Sequence, residues 1–179
     1  TQILQTKREN NWFPTASEIE EIILKDKNKN YLLFLNSPNN QSGQICDNLE
    51  EIASIAKKYN LIILSDEIYS ELSFKDSYQS ISNFCQEKTI ISTGLSKWCG
   101  AGGWRLGSFI IPKSLNNIKN TLNVLASETF SAVSAPIQYA AIKAYELDHK
   151  NYLDSSRKIL KAIGNYVYEN LNSNNVLIN

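Results

Sequence analysis

YLLFLNSPNNQSGQICDNLEEIASIAKKYNLIIL, residues 31 to 64, decides the fold. Tyr31-Leu32-Leu33-Phe34-Leu35 is a continuous apolar run of strand length, as expected of a strand covered on both faces. A polar turn, Asn36 to Gly43, follows it. Asp47 and Glu50 then have the spacing of a capping box, ahead of a helix whose apolar stripe is Leu49, Ile52, Ala53 and Ala56. That helix is expected to end near Asn60, and Leu61-Ile62-Ile63-Leu64 reads as a second buried strand. Strand, helix and strand in this order predict a right-handed crossover in a parallel sheet.

Working outward, Ile3-Leu4-Gln5 has the look of an opening strand, and Pro14-Thr15-Ala16-Ser17 leads into a helix from Glu18 onward. Ser17 is the expected cap there, and the acidic first turn suits the helix dipole. Downstream, Thr89 to Thr93 and Leu106 to Pro112 are two further β-rich runs that bracket a glycine-rich loop. Three helices are predicted beyond them, over residues 114–125, 136–147 and 152–171, with Pro136 suited to a first turn. The last has apolar residues at mixed spacings of three and four and reads as a packing helix. His149 is placed at the surface or between helices, without a chemical role. The pattern is α/β: a mostly parallel sheet flanked by helices.

The chain has 179 residues, enough for one domain with a real core. Lys plus Arg equals Asp plus Glu at 18 each, so no overall field draws it to nucleic acid or to an anionic membrane, and a small or neutral partner is expected. Three cysteines without a CxxC pair and one histidine offer neither a disulfide framework nor a zinc site, so no metal is expected and a reducing, cytoplasmic setting fits best. No apolar run approaches the ~18 residues of a membrane span. There is no methionine, and the chain opens inside an apparent strand, so it is expected to be an internal piece of a longer protein.

The chemistry is concentrated around Lys97, which stands eight residues before Arg105 in the glycine-rich loop. A lysine amine holds an aldehyde as a Schiff base, and a planar guanidinium grips a phosphate through paired hydrogen bonds, so the two together suggest a phosphorylated aldehyde. By itself a Ser-Lys pair in such a turn is most simply a solvated lysine. In a parallel sheet, however, the ligand crevice lies outside the carboxyl ends of the strands, and three sets of groups fall there: Asn40 after the first buried strand, Asp66 and Tyr69 after the second, Lys97 after the third. Asn40 as a turn former, Asp66 as a helix cap and Tyr69 as a half-buried aromatic are each ordinary, but their joint placement is harder to dismiss. The loop does not have the spacing of a P-loop or of a dinucleotide fingerprint, and adjacent Ser96 and Lys97 cannot readily supply a Ser-Lys hydrolase with an oxyanion hole.

Asn36 to Gly43, Asp66-Glu67-Ile68-Tyr69, and Ser96-Lys97 through Arg105-Leu106-Gly107 resemble, in order and separation, the three cofactor motifs of class I/II aminotransferases, the fold type I pyridoxal-phosphate enzymes. The resemblance runs over essentially the whole chain. It implies that residues 1–150 form part of a large cofactor domain, and that residues 151–179 form a long helix leading toward a small domain. It implies pyridoxal 5'-phosphate as cofactor, amino acids and 2-oxo acids as substrates, and a homodimer, with residues 129–138 near its interface. Carried over position by position, it makes Lys97 the cofactor's covalent anchor and the base at the substrate α-carbon. Asp66 pairs with the pyridine nitrogen, which makes the ring an electron sink. Asn40 and Tyr69 hydrogen-bond the ring's phenolic oxygen, and Arg105, assisted by Ser96, holds the phosphate.

Two departures stand out. The usual Asn-Pro-Thr-Gly is here Asn40-Gln41-Ser42-Gly43, and a trans bond where a cis proline is common would re-aim Asn40. Gly94 stands where many members have a phosphate-binding serine. The phosphate-binding helix start, the ring-stacking aromatic and the substrate-carboxylate arginine that the resemblance also implies have no counterpart in this sequence. The isolated chain is therefore expected to be inactive. Alternatives that share the cofactor are a C–S or β-elimination lyase, and a non-catalytic homologue for which Gln41 is the best support.

Overall fold

The computed structural model describes residues 1–74 and 78–172. Strands β1 (Leu32–Asn36), β2 (Ile62–Asp66), β3 (Thr89–Gly94) and β4 (Gly107–Ile110) make one sheet in the order β1-β2-β3-β4. The first three run parallel, and β4 pairs with β3 antiparallel. A mostly parallel sheet was expected, and this mixed sheet has that character.

Helix α1 (Ala16–Lys25) opens on Thr15 rather than Ser17. Thr15 Oγ1 accepts from the Glu18 amide at 3.2 Å while the Thr15 amide donates to Glu18 Oε2 at 2.8 Å, a complete capping box that leaves Ser17 within the first turn. Helix α2 (Leu49–Lys58) follows the expected stripe, with Leu49, Ile52, Ala53 and Ala56 all buried. The predicted box from Asp47 to Glu50 does not form. The N-cap is Asn48, whose side-chain Nδ2 donates to the Pro14 carbonyl and whose Oδ1 accepts from the Cys46 thiol, and Asp47 instead receives the Asn11 side-chain amide at 2.9 Å. A short helix not foreseen from the sequence, α3 (Ser82–Cys85), precedes β3.

One face of the sheet carries the main core. Leu35 and Ile63 join Phe13, Ile19, Ile23, Ile52, Ile81 and Cys85 in a single buried cluster with α1, α2 and α3. Burying one such Ile or Leu contributes about 1.5–3 kcal/mol, so this cluster is the main source of cohesion. The opposite face is open: Leu32 and Phe34 are 57% and 60% exposed. The expectation that β1 is covered on both faces is thus corrected, because an apolar run reports affinity for cover but not whether cover is present.

The opening strand is also corrected. Residues 1–7 are irregular, since no neighbouring strand offers them a ladder; Ile3 is 87% exposed while Leu4 rests on the main core. Beyond β4 come α4 (Asn116–Thr129), α5 (Ala135–Glu146) and α6 (Lys150–Asn172), close to the predicted spans. Pro136 lies in the first turn of α5, as foreseen. Residues 173–179 lie outside the described residues. A second buried cluster, Leu95, Trp98, Leu106, Ala141 and Leu153, packs α5 and α6 under the loop that follows β3.

Candidate active site

The register aligns the carboxyl ends of the parallel strands: Asn36 pairs with Asp66, and Asp66 with Ser92. Side chains alternate across a strand, so Asn36, Asp66 and Ser92 share the open face while Ser65 turns to the core. Asn36 Nδ2 and the Ser37 amide both donate to the Asp66 carbonyl at 3.1 Å, and the Glu67 amide donates to the Ser92 carbonyl at 2.9 Å. These bonds carry the ladder one step past the last pair. Among the described residues the Asp66 carboxylate receives only the Ile68 amide, at 3.4 Å, and so keeps most of its acceptor capacity.

The turn after β1 is built on Asn39, whose Oδ1 accepts from the amides of Gln41 and Ser42 and from the Ser42 hydroxyl at 2.9–3.0 Å. The Asn40 amide donates to Asn36 Oδ1 at 2.9 Å. Among the described residues the one cis peptide is Ser37-Pro38, so the Asn40-Gln41 bond is trans. Asn40 is not turned away by it: Tyr69 donates its phenol to Asn40 Oδ1 at 2.7 Å. Lys97 Nζ lies over the Tyr69 ring, 5.3 Å from its centre, in cation–π range. Tyr69 therefore joins the Asn40 turn and the Lys97 loop, three positions drawn together from three different strand ends.

Lys97 is exposed, yet its loop is fixed by its neighbours. Leu95 and Trp98 on either side are buried in the second cluster, the Gly100 amide donates to the Lys97 carbonyl, and the Ala101 amide returns to the Leu95 carbonyl. Trp98 packs against His149, with ring centres 4.6 Å apart, so His149 is an interhelix residue as expected. Arg105 is placed differently. It takes a left-handed backbone (φ 56°), its guanidinium donates to the Gly102 carbonyl at 2.6 Å, and it lines a groove with Thr93, Gly107 and Ser134 in which Lys97 has no part. Asn40, Asp66 and Tyr69 line a different cleft. Ser96 sits on the Lys97 loop, its Cβ close to Gly102. A Cβ on Gly94 would lie 2.7 Å from the Leu106 carbonyl oxygen and 3.0 Å from Gly107 Cα, so this backbone has no room for a serine there.

Behind Asp66, on the core face, lie groups that the motif reading passed over. Glu67 is 6% exposed, and its Oε1 accepts from the hydroxyls of Ser65 at 2.9 Å and Ser80 at 2.6 Å. Tyr78 donates to the Ser37 carbonyl at 3.0 Å, and burial, with the neighbouring Glu67 carboxylate, pushes its phenol pKa up. Burial likewise pushes the Cys46 thiol up to about 12. The signal for this network was the charged residue next to Asp66, whose side chain the period of two sends into the core.

Residues 2–178 match the family model described as aminotransferase class I and II. The chain belongs to that family. The aspartate aminotransferase of Thermotoga maritima is 31% identical over 173 residues, covering 94% of this chain and 43% of that protein. The asparagine–oxo-acid transaminase of Streptococcus mutans is 33% identical over 147 residues, covering 79% of this chain and 36% of that protein. A solved double mutant of the Thermus thermophilus aspartate aminotransferase superposes with a TM-score of 0.86 at 22% identity, over 96% of this chain and 44% of that one. The chain thus spans less than half the length of the curated relatives it matches, and its sheet and helices correspond to that part of the aminotransferase class I and II fold. Among the described residues no helix is long and apolar enough to cross a membrane.

Proposed function

We propose that this chain supplies the cofactor-holding part of a pyridoxal-phosphate-dependent aminotransferase, which moves an amino group between an amino acid and a 2-oxo acid. The observation that carries the reading is the bridge made by Tyr69, which hydrogen-bonds Asn40 and lies under the Lys97 amine. The donor set fits the group: an exposed amine for an aldehyde, a phenol and an amide for a phenolic oxygen, and an underused carboxylate for a ring nitrogen. When bound, pyridoxal phosphate supplies an aldehyde that takes up the amino group and a ring that stores the electron pair left at the substrate α-carbon.

The chain's own residues then have distinct tasks. Lys97 Nζ anchors the cofactor and takes and returns the proton at the α-carbon. Asp66, on the open face at the end of β2, keeps the ring nitrogen protonated. Tyr69 and Asn40 orient the ring edge by hydrogen bonds. Arg105 leaves the Gly102 carbonyl to pair with the phosphate, and Ser96 assists it. With a serine excluded at position 94, Arg105 carries more of that anion than in relatives that have one. We extend the proposal to a homodimer, supported by the exposure of Phe130 and Tyr139 at 67% and 73%, and to a cytoplasmic setting, in keeping with three free cysteines.

Borohydride reduction of the intact protein after incubation with pyridoxal phosphate, followed by peptide mapping, tests the reading. Stoichiometric label at Lys97, lost in Lys97→Ala, is the expected result, and an amino-donor screen then defines the substrate. A folded intact protein with no label at Lys97 refutes it.

A further inference from the structure

Asp66 needs an exact direction to serve a ring nitrogen, yet its carboxylate receives one long hydrogen bond, so its aim is set by the backbone that carries it. The ladder of β2 ends at Asp66. Beyond that point the next side chain held in place is Glu67. We propose that Glu67 is a positioning residue that fixes the aim of Asp66 from the opposite face of the sheet. This rests on the assignment of Asp66 to the cofactor.

The bonds around Glu67 close into a ring. Its Oε1 takes the hydroxyls of Ser65, on the preceding turn of the pleat, and of Ser80, which is itself braced by Ser82 through its hydroxyl at 2.8 Å and its amide at 3.1 Å. Two residues before Ser80, Tyr78 holds the Ser37 carbonyl, and the Ser37 amide holds the Asp66 carbonyl. The covalent link from Asp66 to Glu67 closes the circuit, and the Glu67 amide adds a tie to the Ser92 carbonyl. The peptide that joins Asp66 to Glu67 is thereby tied to β1 through its carbonyl and to β3 through its amide, and the Glu67 carboxylate ties it to the 78–80 segment.

A carboxylate buried in a core is a poor source of net stability, since desolvation offsets most of what its hydrogen bonds return. A hydrophobic residue would fill the space at lower cost. What a carboxylate adds is direction: two short bonds to one oxygen fix the side chain, and with it the backbone torsions at residues 66 and 67. Loss of the side chain frees those torsions and leaves the Ser65 and Ser80 hydroxyls without their acceptor.

The test uses the intact protein as wild type, Glu67→Ala, Glu67→Gln, Ser80→Ala and, as a control core change away from the network, Ile52→Val, with the network changes repeated in an Asp66→Asn background. Three quantities are read: the dissociation constant for pyridoxal phosphate, the pH midpoint of the bound cofactor's visible absorption, and Tm. Glu67→Ala is expected to weaken cofactor binding about tenfold and to move the midpoint by about half a pH unit or more. Glu67→Gln keeps the Oε1 acceptor and should stay within about twofold of wild type. Ser80→Ala, the milder change should Glu67→Ala fail to fold, should weaken binding about threefold with a smaller midpoint shift. Ile52→Val should lower Tm and move neither of the other two. In an Asp66→Asn background, loss of Glu67 or of the Ser80 hydroxyl should add no further midpoint shift. The proposal is overturned if the network variants change Tm alone, as the core control does, or if their midpoint shift persists without the Asp66 carboxylate. Wild type that takes no borohydride label at Lys97 would instead sink the cofactor assignment.

Discussion

Replacing Gly94 by alanine should destabilise the protein by about 2–3 kcal/mol, although alanine is ordinarily the better strand residue. Gly94 ends β3 opposite Gly107, and a Cβ there meets the Leu106 carbonyl oxygen at 2.7 Å, Gly107 Cα at 3.0 Å and the Leu106 carbonyl carbon at 3.5 Å. All three atoms are backbone, so no rotamer relieves the clash and β4 must move. Overpacking costs about 1–3 kcal/mol, and a strained final ladder bond adds about 1 kcal/mol. Gly107→Ala is the internal comparison: its Cβ meets only the Thr93 carbonyl oxygen at 3.6 Å, an ordinary contact, so its effect should stay below about 1 kcal/mol. Urea denaturation of the intact protein reads both; with a slope of about 2 kcal/mol per molar, Gly94→Ala should lower the midpoint by about 1 M. Gly94→Ser should do no better and should also weaken pyridoxal phosphate binding, because Leu106 and Gly107 directly follow Arg105. A Gly94→Ala protein as stable as wild type, or a Gly107→Ala protein equally impaired, would refute the steric reasoning.

Tyr69→Phe keeps the ring beneath Lys97 but removes the donor to Asn40, so cofactor affinity should fall about fivefold while the borohydride label remains at Lys97. Native thiol titration should modify Cys99, which is half-buried, and leave buried Cys46 and Cys85 untouched until the protein unfolds. For Cys46 the sign is fixed by the upward shift from 9.0 to about 12: between those values the unfolded chain releases a proton that the folded chain keeps. Denaturation midpoints should therefore fall as pH rises through that interval, and Cys46→Ala should flatten the fall. At the acid end, the Thr15 amide and hydroxyl hold the Glu18 carboxyl below its ordinary 4.5. That contribution is complete above 4.5 and is lost as pH falls through the lower folded value, so Thr15→Ala should lower the midpoint at neutral pH and reduce its dependence on acid.

The elements with a strong period were legible. The stripe of α2, the apolar runs of β1 and β2, and the three closing helices appear close to where hydrophobic spacing puts them. Caps were not, because Thr15, Ser17, Asp47 and Asn48 all have cap-forming side chains: at α1 the Thr15–Glu18 box decides locally, whereas the start of α2 depends on partners distant in sequence, Pro14 and Asn11. Ile3-Leu4-Gln5 had strand composition without a strand to pair with, and composition carries no information about partners. At the site, the convergence of Asn40, Tyr69 and Lys97 was readable from positions at strand ends, whereas the orientation of Arg105 toward Gly102 was not, since it follows from a left-handed backbone that an arginine seldom takes. Glu67 was overlooked for a different reason: beside Asp66 in a motif it reads as a second polar residue, and only the pleat separates their destinations.

That separation makes strand register a chemical selector. Asp66 and Glu67 are neighbours of like charge whose side chains leave β2 in opposite directions, and their roles depend on which peptide of β1 and β3 each one faces. A slip of β2 by a single residue would exchange them, sending the shorter acid among the apolar helices and presenting to the crevice an acid longer by one methylene. Such a mispaired chain would keep its composition, its strand count and much of its hydrogen bonding, yet carry a carboxyl group at the wrong depth for the chemistry. The Asn36 side chain, hooked on the Asp66 carbonyl, strengthens this pairing, but every residue carries such a carbonyl, so the choice between the two acids falls to burial, with Ile63 fully enclosed on the core face of β2.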